Sequence, residues 1–314
     1  MTGKAPRVVY GETLAQLGAD LPELVVLDAD LSKSTKTATF AREFPERFHD
    51  MGIAEQDMVA TAAGLAADGM TPFASSFAIF ATGRAWEQLR NSVCYPNLNV
   101  KIVATHGGIT VGQDGGSHQS VEDLAITRVI PNLSVIVPSD AMETAQVIQT
   151  VAREPGPFYV RLPRGSAEDL HPHGWTFQLG KADQLRTVDD ADVTFVACGL
   201  MVAVAMEAAE QLAVDGIQAR VLNMATLKPL DEEALEQAAR ETGALVTLEE
   251  HSIIGGLGAA VCEAVASRFP VPVRRVGVED QFGQRGSAKE LLQQYGLTVE
   301  NAAEKARAAV ALKR

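Results

Sequence analysis

The sequence predicts an α/β protein of two domains, each built on a mainly parallel sheet. Three observations carry this prediction. Short β-rich runs alternate with Ala-rich amphipathic segments, the pattern of strands linked by crossover helices. The alternation breaks once, between Leu162 and Val188, and then resumes. The 314 residues suffice for two domains, each able to bury its own core. The expected division is a first domain over 1–170, a linker over 171–188 and a second domain over 189–314.

In the first part, strands are expected at Leu24–Leu27, Asn99–Thr105, Leu133–Val137 and Phe158–Arg161. Helices are expected at Ala54–Ala67, Ala85–Ser92 and Ala141–Ala152. Pro163, Gly165, Pro172 and Gly174 then punctuate the break, which also holds His171, His173 and Trp175. In the second part, strands are expected at Val193–Ala197, Ala219–Leu222, Ala244–Leu248 and Val273–Val276. Helices include Leu257–Ser267 and Ala302–Leu312. No internal repeat or low-complexity tract is visible.

Composition narrows the function classes. Hydrophobic residues make up 46% and charged residues 21% of the chain, as in ordinary soluble globular proteins. No apolar run is long enough to span a bilayer. The start, Met1-Thr2-Gly3-Lys4, lacks an apolar signal core, and Cys94, Cys198 and Cys262 form no CxxC pair. A cytoplasmic protein with reduced thiols is expected. The formal net charge of −13 argues against a nucleic-acid partner, while leaving room for a few arginines to bind one small phosphate in a cleft.

Open parallel sheets bind ligands beyond the carboxyl ends of their strands, so the segments after Leu27, Thr105 and Arg161 are the candidates. Four motifs stand out. In Met51-Gly52-Ile53-Ala54-Glu55-Gln56-Asp57-Met58, Glu55 opens an apolar helix. Taken alone, it reads first as a carboxylate that complements the helix dipole. In Ser75-Ser76-Phe77-Ala78-Ile79-Phe80, the aromatics Phe77 and Phe80 are spaced to share a helix face. They can grip a flat heteroaromatic ring or simply fill a core.

The stretch from Thr105 to Gln119 holds five glycines, two histidines and one aspartate. Such glycines allow close backbone approach to a ligand and contribute little packing of their own. His106 and His118 can bind hydroxyls or move protons. A metal held by His106, Asp114 and His118 is the rival reading. In Arg161-Leu162-Pro163-Arg164-Gly165, Arg164 beside a strand end suits a phosphate or carboxylate, or equally a surface ion pair. Gly255, Gly256 and Gly258 match neither phosphate-loop pattern and read as a helix-entry turn.

Taken in order, these motifs resemble the transketolase family from about Arg7 to the C-terminus. Gly-Ile-Ala-Glu-Gln-Asp-Met is similar to the family's G-x-x-E-x-x-M segment. Asp114-Gly115-Gly116-Ser117-His118-Gln119-Ser120-Val121-Glu122, followed by Arg128 and Pro131-Asn132, is similar to its D-G-P-T-H-Q-P-x-E…R-x-x-P-N stretch. The equivalent region of the family is a pyrimidine-binding domain followed by a C-terminal domain. The family's other half carries a G-D-G…N motif, which holds Mg²⁺ (or Ca²⁺) and through it the diphosphate of thiamine diphosphate. No G-D-G occurs in this sequence.

The resemblance therefore implies one subunit of a two-chain transketolase, with an N-terminal diphosphate-binding subunit as partner and an α₂β₂ heterotetramer as assembly. The implied activity is transfer of a two-carbon glycolaldehyde unit from a ketose phosphate to an aldose phosphate, using thiamine diphosphate. The implied roles are Glu55 on the aminopyrimidine, Phe77 and Phe80 packed against that ring, and His106 and His118 at the reacting sugar. Asp114 would read an α-hydroxyl. Arg164, Arg7 and Ser34 would bind the sugar phosphate. A third pocket aromatic, expected one turn past Phe80, is Gly83 here, with Trp86 as a candidate substitute. Three alternatives stay open: the β subunit of a 2-oxo-acid dehydrogenase, half of a deoxyxylulose-phosphate synthase, and a non-catalytic interaction subunit.

Overall fold

A computed structural model describes residues 3–313. Met1 and Thr2 of the expected leaderless start, and Arg314 at the end of the expected second domain, lie outside the described residues.

The first sheet has seven strands. Six come from the first part of the chain: β1 (Leu24–Asp28), β2 (Phe48–Asp50), β3 (Thr71–Ser75), β4 (Lys101–Ala104), β5 (Ser134–Ile136) and β6 (Phe158–Arg161). They pair in parallel in the order β5-β6-β4-β3-β1-β2. The central strands β1, β3, β4 and β6 are buried at every residue, as sheets covered on both faces require.

The second sheet contains β7 (Asp183–Arg186), β8 (Val193–Ala197), β9 (Ala219–Asn223), β11 (Leu245–Ser252) and β12 (Val273–Val278). Its order is β12-β11-β8-β9-β7, parallel except for β7. Between β9 and β11, β10 (Thr226–Lys228) crosses over and pairs antiparallel with β5, closing the first sheet as its seventh strand. The two halves of the chain thus share a sheet, which the alternation of elements did not indicate.

Most expected elements are present with shifted ends. The helix at Glu55–Ala67 starts one residue later than expected, and Ala141–Arg153 is capped by Asp140, whose carboxylate accepts from the Glu143 N–H. The expected helix Ala85–Ser92 is a short α turn, Trp86–Gln88, running into a wider π turn at Leu89–Cys94. The end of the expected linker, Asp183–Arg186, is the edge strand β7. Its partly exposed Asp-Gln-Leu-Arg lacks the apolar run that marks a buried strand.

The helix Pro6–Asp20 carries neither a capping side chain nor acidic residues in its first turn, and Pro6 at its first position is the one start signal that the sequence offers. It is buried through Tyr10, Leu14 and Leu17 against the core that includes Val147, Ile148 and Val151 of Ala141–Arg153.

Candidate active site

Five neighbouring strands of the first sheet deliver the candidate residues to one edge. Ser34 follows β1, Glu55 follows β2, Phe77 follows β3, His106 follows β4 and Arg164 follows β6. Parallel strands all end on the same side, so these segments, scattered in sequence, face one cleft.

Glu55 is the first residue of its helix, and its side chain is only 2% exposed. Ser76 Oγ donates to its Oε1 at 3.3 Å. Arg84 Nη1 lies 3.1 Å from both carboxylate oxygens. Phe77 and Phe80 lie on the chain leaving β3, with ring centroids 5.9 Å apart and planes 17° from parallel. The His106 ring stacks on Phe77 at 3.8 Å, and His118 meets Phe80 edge-on at 5.3 Å. Glu55, Phe77 and Phe80 provide what a flat aminopyrimidine needs, a buried hydrogen-bonding carboxylate and an aromatic surface.

Trp86, the candidate substitute for the missing aromatic, is anchored by its indole nitrogen. Its Nε1 donates to the carbonyl of Ile126 at 2.8 Å. No aromatic stands at Gly83, where a Cβ would meet the Ile79 side chain at 3.9 Å, an ordinary van der Waals contact. The residue beside Glu55 that sequence reading missed is Arg84. It carries no motif, and only folding brings it back onto a carboxylate 29 positions earlier.

His106 is almost fully buried, with Nδ1 2.8 Å from Thr105 Oγ1. Burial first, then the positive charges of Arg7 and Arg164 and the nearby His118, push its pKa down to about 3. Near neutral pH it is a neutral imidazole, able to exchange hydrogen bonds but carrying no charge. His118 is half-buried and its Nδ1 lies 3.0 Å from Ser117 Oγ.

The anion-binding candidates also converge. Arg7 donates from Nε to the carbonyl of Arg164 and from Nη1 to the carbonyl of Ser34, each at 2.7 Å. Burial and then the charge of Arg164 hold the Arg7 pKa below its ordinary value. Arg164 bonds the carbonyl of Val111, and its Nη1 lies 3.7 Å from Asp114 Oδ2. Arg7 and Arg164 line a cavity of about 410 Å³ together with Thr110–Gln113 and Gly286–Ala288.

The glycine-rich stretch departs from expectation. It folds as tight helical turns over Ile109–Asp114, with Ile109 and Val111 fully buried. Its glycines serve packing after all. A Cβ on Gly107 would fall 2.5 Å from Arg161 Nε, and one on Gly108 would fall 2.3 Å from the Glu250 carboxylate. Glu250, on β11, accepts the Thr110 N–H at 2.6 Å, so the second half of the chain braces the loop. Arg161, itself paired with Asp123 at 2.8 Å, donates to the Glu250 carbonyl at 2.8 Å.

His106, Asp114 and His118 do not stand together as a ligand set. Among the described residues, no group of three or more His, Cys, Asp or Glu is placed to hold a metal ion. Nor is any helix among them long and apolar enough to cross a membrane.

The fold and site define a protein whose first half presents a carboxylate and an aromatic surface, and whose second half supports the adjoining loop. Comparison with known proteins agrees. Residues 3–168 match the family description "Transketolase, pyrimidine binding domain", and residues 180–302 match "Transketolase, C-terminal domain". A protein of Methanocaldococcus jannaschii described as "Putative transketolase C-terminal section" is 52% identical, covering 96% of this chain and 95% of that protein. A 6-deoxy-6-sulfo-D-fructose transketolase subunit from Clostridium sp. is 44% identical, covering 94% of this chain and 91% of that protein.

Among solved structures, "Split gene transketolase, inactive beta4 tetramer" is 50% identical with a TM-score of 0.91, covering 99% of this chain and 100% of that chain. The transketolase from Leishmania mexicana is 28% identical with a TM-score of 0.85, covering 98% of this chain but 46% of its own. The chain belongs to the transketolase family, over that family's pyrimidine-binding and C-terminal domains.

Proposed function

We propose that this chain is the pyrimidine-binding subunit of a two-chain, thiamine-diphosphate-dependent transketolase. It would move a two-carbon glycolaldehyde unit from a ketose phosphate to an aldose phosphate. The observation that carries the reading is the buried Glu55 carboxylate beside the stacked Phe77–Phe80 pair, on the same strand edge as His106 and the Arg7–Arg164 cluster. When bound, thiamine diphosphate supplies a nucleophilic carbon able to cleave the bond next to a ketose carbonyl.

The chain's own residues do the rest. Glu55 holds a proton on a ring nitrogen of the aminopyrimidine, in a pocket dry enough to keep it there. Ser76 orients the carboxylate through its hydrogen bond. Phe77 and Phe80 would pack against the ring. His106, neutral and buried, hydrogen-bonds the reacting sugar and relays protons without adding charge. His118 contacts the donor hydroxyl, and Asp114 reads the neighbouring α-hydroxyl.

Arg164 and Arg7, which line one cavity, receive the sugar phosphate, with Ser34 beside them through its carbonyl contact to Arg7. The diphosphate and its Mg²⁺ would be held by a partner subunit, giving an α₂β₂ heterotetramer. The Clostridium relative is described as a 6-deoxy-6-sulfo-D-fructose transketolase subunit, so the sugars to be tried include sulfonated as well as phosphorylated ones.

The test uses the full chain, a diphosphate-binding partner chain, thiamine diphosphate and Mg²⁺. Glycolaldehyde transfer between phosphorylated sugars is expected only when both chains are present. Full activity from this chain alone would overturn the two-chain arrangement, and absence of transfer in the assembled complex across a panel of sugar phosphates would overturn the activity.

A further inference from the structure

The guanidinium of Arg84 makes the two contacts that an aminopyrimidine would need. It binds Glu55 through Nη1, 3.1 Å from each oxygen, and its Cζ lies 4.1 Å from the centre of the Phe80 ring. Phe80 and Arg84 are four residues apart at the end of one short helix, which places them on the same side. Gly83 has no side chain of its own to compete with the arginine here, and a Cβ there would meet only Ile79, at 3.9 Å.

A carboxylate as buried as Glu55 is costly without a counter-charge. Arg84 supplies that charge, and its stacking on Phe80 adds to the hold. The arginine is nevertheless half in solvent, at 48% side-chain exposure, and Glu55 is the only hydrogen-bond partner of its guanidinium among the described residues. It can swing out by breaking one ion pair and one stacking contact.

We infer that Arg84 is a displaceable placeholder for the thiamine ring, pairing with Glu55 until a cofactor nitrogen takes over that carboxylate. The inference rests on the proposed role of Glu55. Glu55 cannot offer the same oxygens and the same approach to a ring nitrogen while Nη1 spans both of them, so cofactor entry and Arg84 departure are one exchange. Apparent cofactor affinity is then reduced by the fraction of molecules in which the ion pair is closed. A half-exposed ion pair is worth on the order of 1 kcal/mol, so removing it should tighten binding about fivefold. The device keeps the buried carboxylate compensated in a chain waiting for a partner that brings the diphosphate site.

The test has two arms. Thiamine diphosphate with Mg²⁺ is titrated calorimetrically into the assembled two-chain complex carrying wild type, Arg84→Met or Arg84→Gln. The thermal midpoint of the full chain without cofactor is measured for the same variants, each with and without Glu55→Gln. Expected are cofactor binding about fivefold tighter in both Arg84 variants, a lower midpoint without cofactor, and a smaller lowering when Glu55 is already glutamine. Wild-type binding with unchanged or weaker affinity in the variants would overturn the placeholder and make Arg84 a fixed wall of the pocket. A midpoint lowering that ignores the Glu55 substitution would overturn the ion pair as its cause. No binding by the wild-type complex would overturn the functional reading itself, and the placeholder with it.

Discussion

Two polar clusters, one at the junction of the two sheets and one at the strand edge, use the same kinds of residue to opposite ends. At the junction, Asp140 accepts from the Leu170 and His171 N–H groups and from His171 Nδ1, at 2.8, 2.8 and 2.9 Å. His171 Nε2 lies 3.2 Å from Asp183 of β7, and its ring packs on Trp175 at 4.0 Å. Glu143 is held by Ser139 and by Asn223 of β9. Nearly every charge there is met by another group of the same chain.

At the strand edge, by contrast, Arg7 finds only backbone carbonyls among the described residues, and Asp114 and Arg164 sit 3.7 Å apart with both side chains more than a third exposed. The first cluster ties the halves together, and the second leaves its cations on backbone carbonyls and one loose ion pair, as the proposed phosphate site requires. The difference teaches that charge in this protein is read by its completeness rather than by its burial.

Substitutions can break that contrast. The largest effect is expected at Glu55. Glu55→Ala should lower glycolaldehyde transfer by the assembled complex about 10³-fold, with little change in the denaturant midpoint, because half-exposed Arg84 returns to water. Near-normal turnover would show that the strand-edge carboxylate is no more than a helix-start charge.

The junction should respond in stability rather than activity. Burial opposes a charged His171, but its hydrogen bonding to Asp140 and Asp183 outweighs burial and pushes its pKa up to about 10 from 6.5. Burial likewise opposes ionised Asp140, but the hydrogen bond from His171 and the Glu143 N–H hold its pKa below the usual carboxylate value. The His171 contribution is therefore complete below about 6.5, the unfolded value, and is lost as pH rises toward about 10. His171→Ala should cost about 3 kcal/mol in denaturant titrations at pH 6, and much less at pH 10. An equal loss at both pH values would remove the charged pair as the source of stability.

Next in size is Arg164→Ala, which should raise KM for phosphorylated sugars about 30-fold, the worth of a charge-assisted hydrogen bond. KM for the unphosphorylated sugars should hardly move, and an equal rise for both would refute the phosphate role. The smallest effect is expected for Ser76→Ala. Its 3.3 Å hydrogen bond to Glu55 is long, so a loss of about fivefold in kcat/KM is expected. A loss as large as that of Glu55→Ala would mean that Ser76 touches the reacting groups directly.

Much of the site was legible because its residues sit in local patterns. Glu55 precedes an apolar helix, Phe77 and Phe80 are three apart, and His106, Asp114 and His118 share one glycine-rich stretch. Arg7 and Ser34 entered only through the family resemblance, and in the structure Arg7 donates to the backbone carbonyls of Ser34 and Arg164. Partners that depend on distant chain segments were not legible. Arg84 meets Glu55 across 29 residues, and Glu250 meets Thr110 across 140. The glycines of the loop read as open backbone, yet Gly107 and Gly108 are pressed against Arg161 and Glu250.

By itself, the sequence determined the alternation of strands and helices, the family, and the identity of the groups able to do chemistry. These follow from periodicity and short motifs, which act over a few residues. Only the tertiary structure decided that β10 would leave its own half to complete the first sheet, that a strand would end the linker, and that an arginine would stand against the buried glutamate. Each of these satisfies a backbone edge or a buried charge with a group far away in the chain, and no local pattern records which group will arrive.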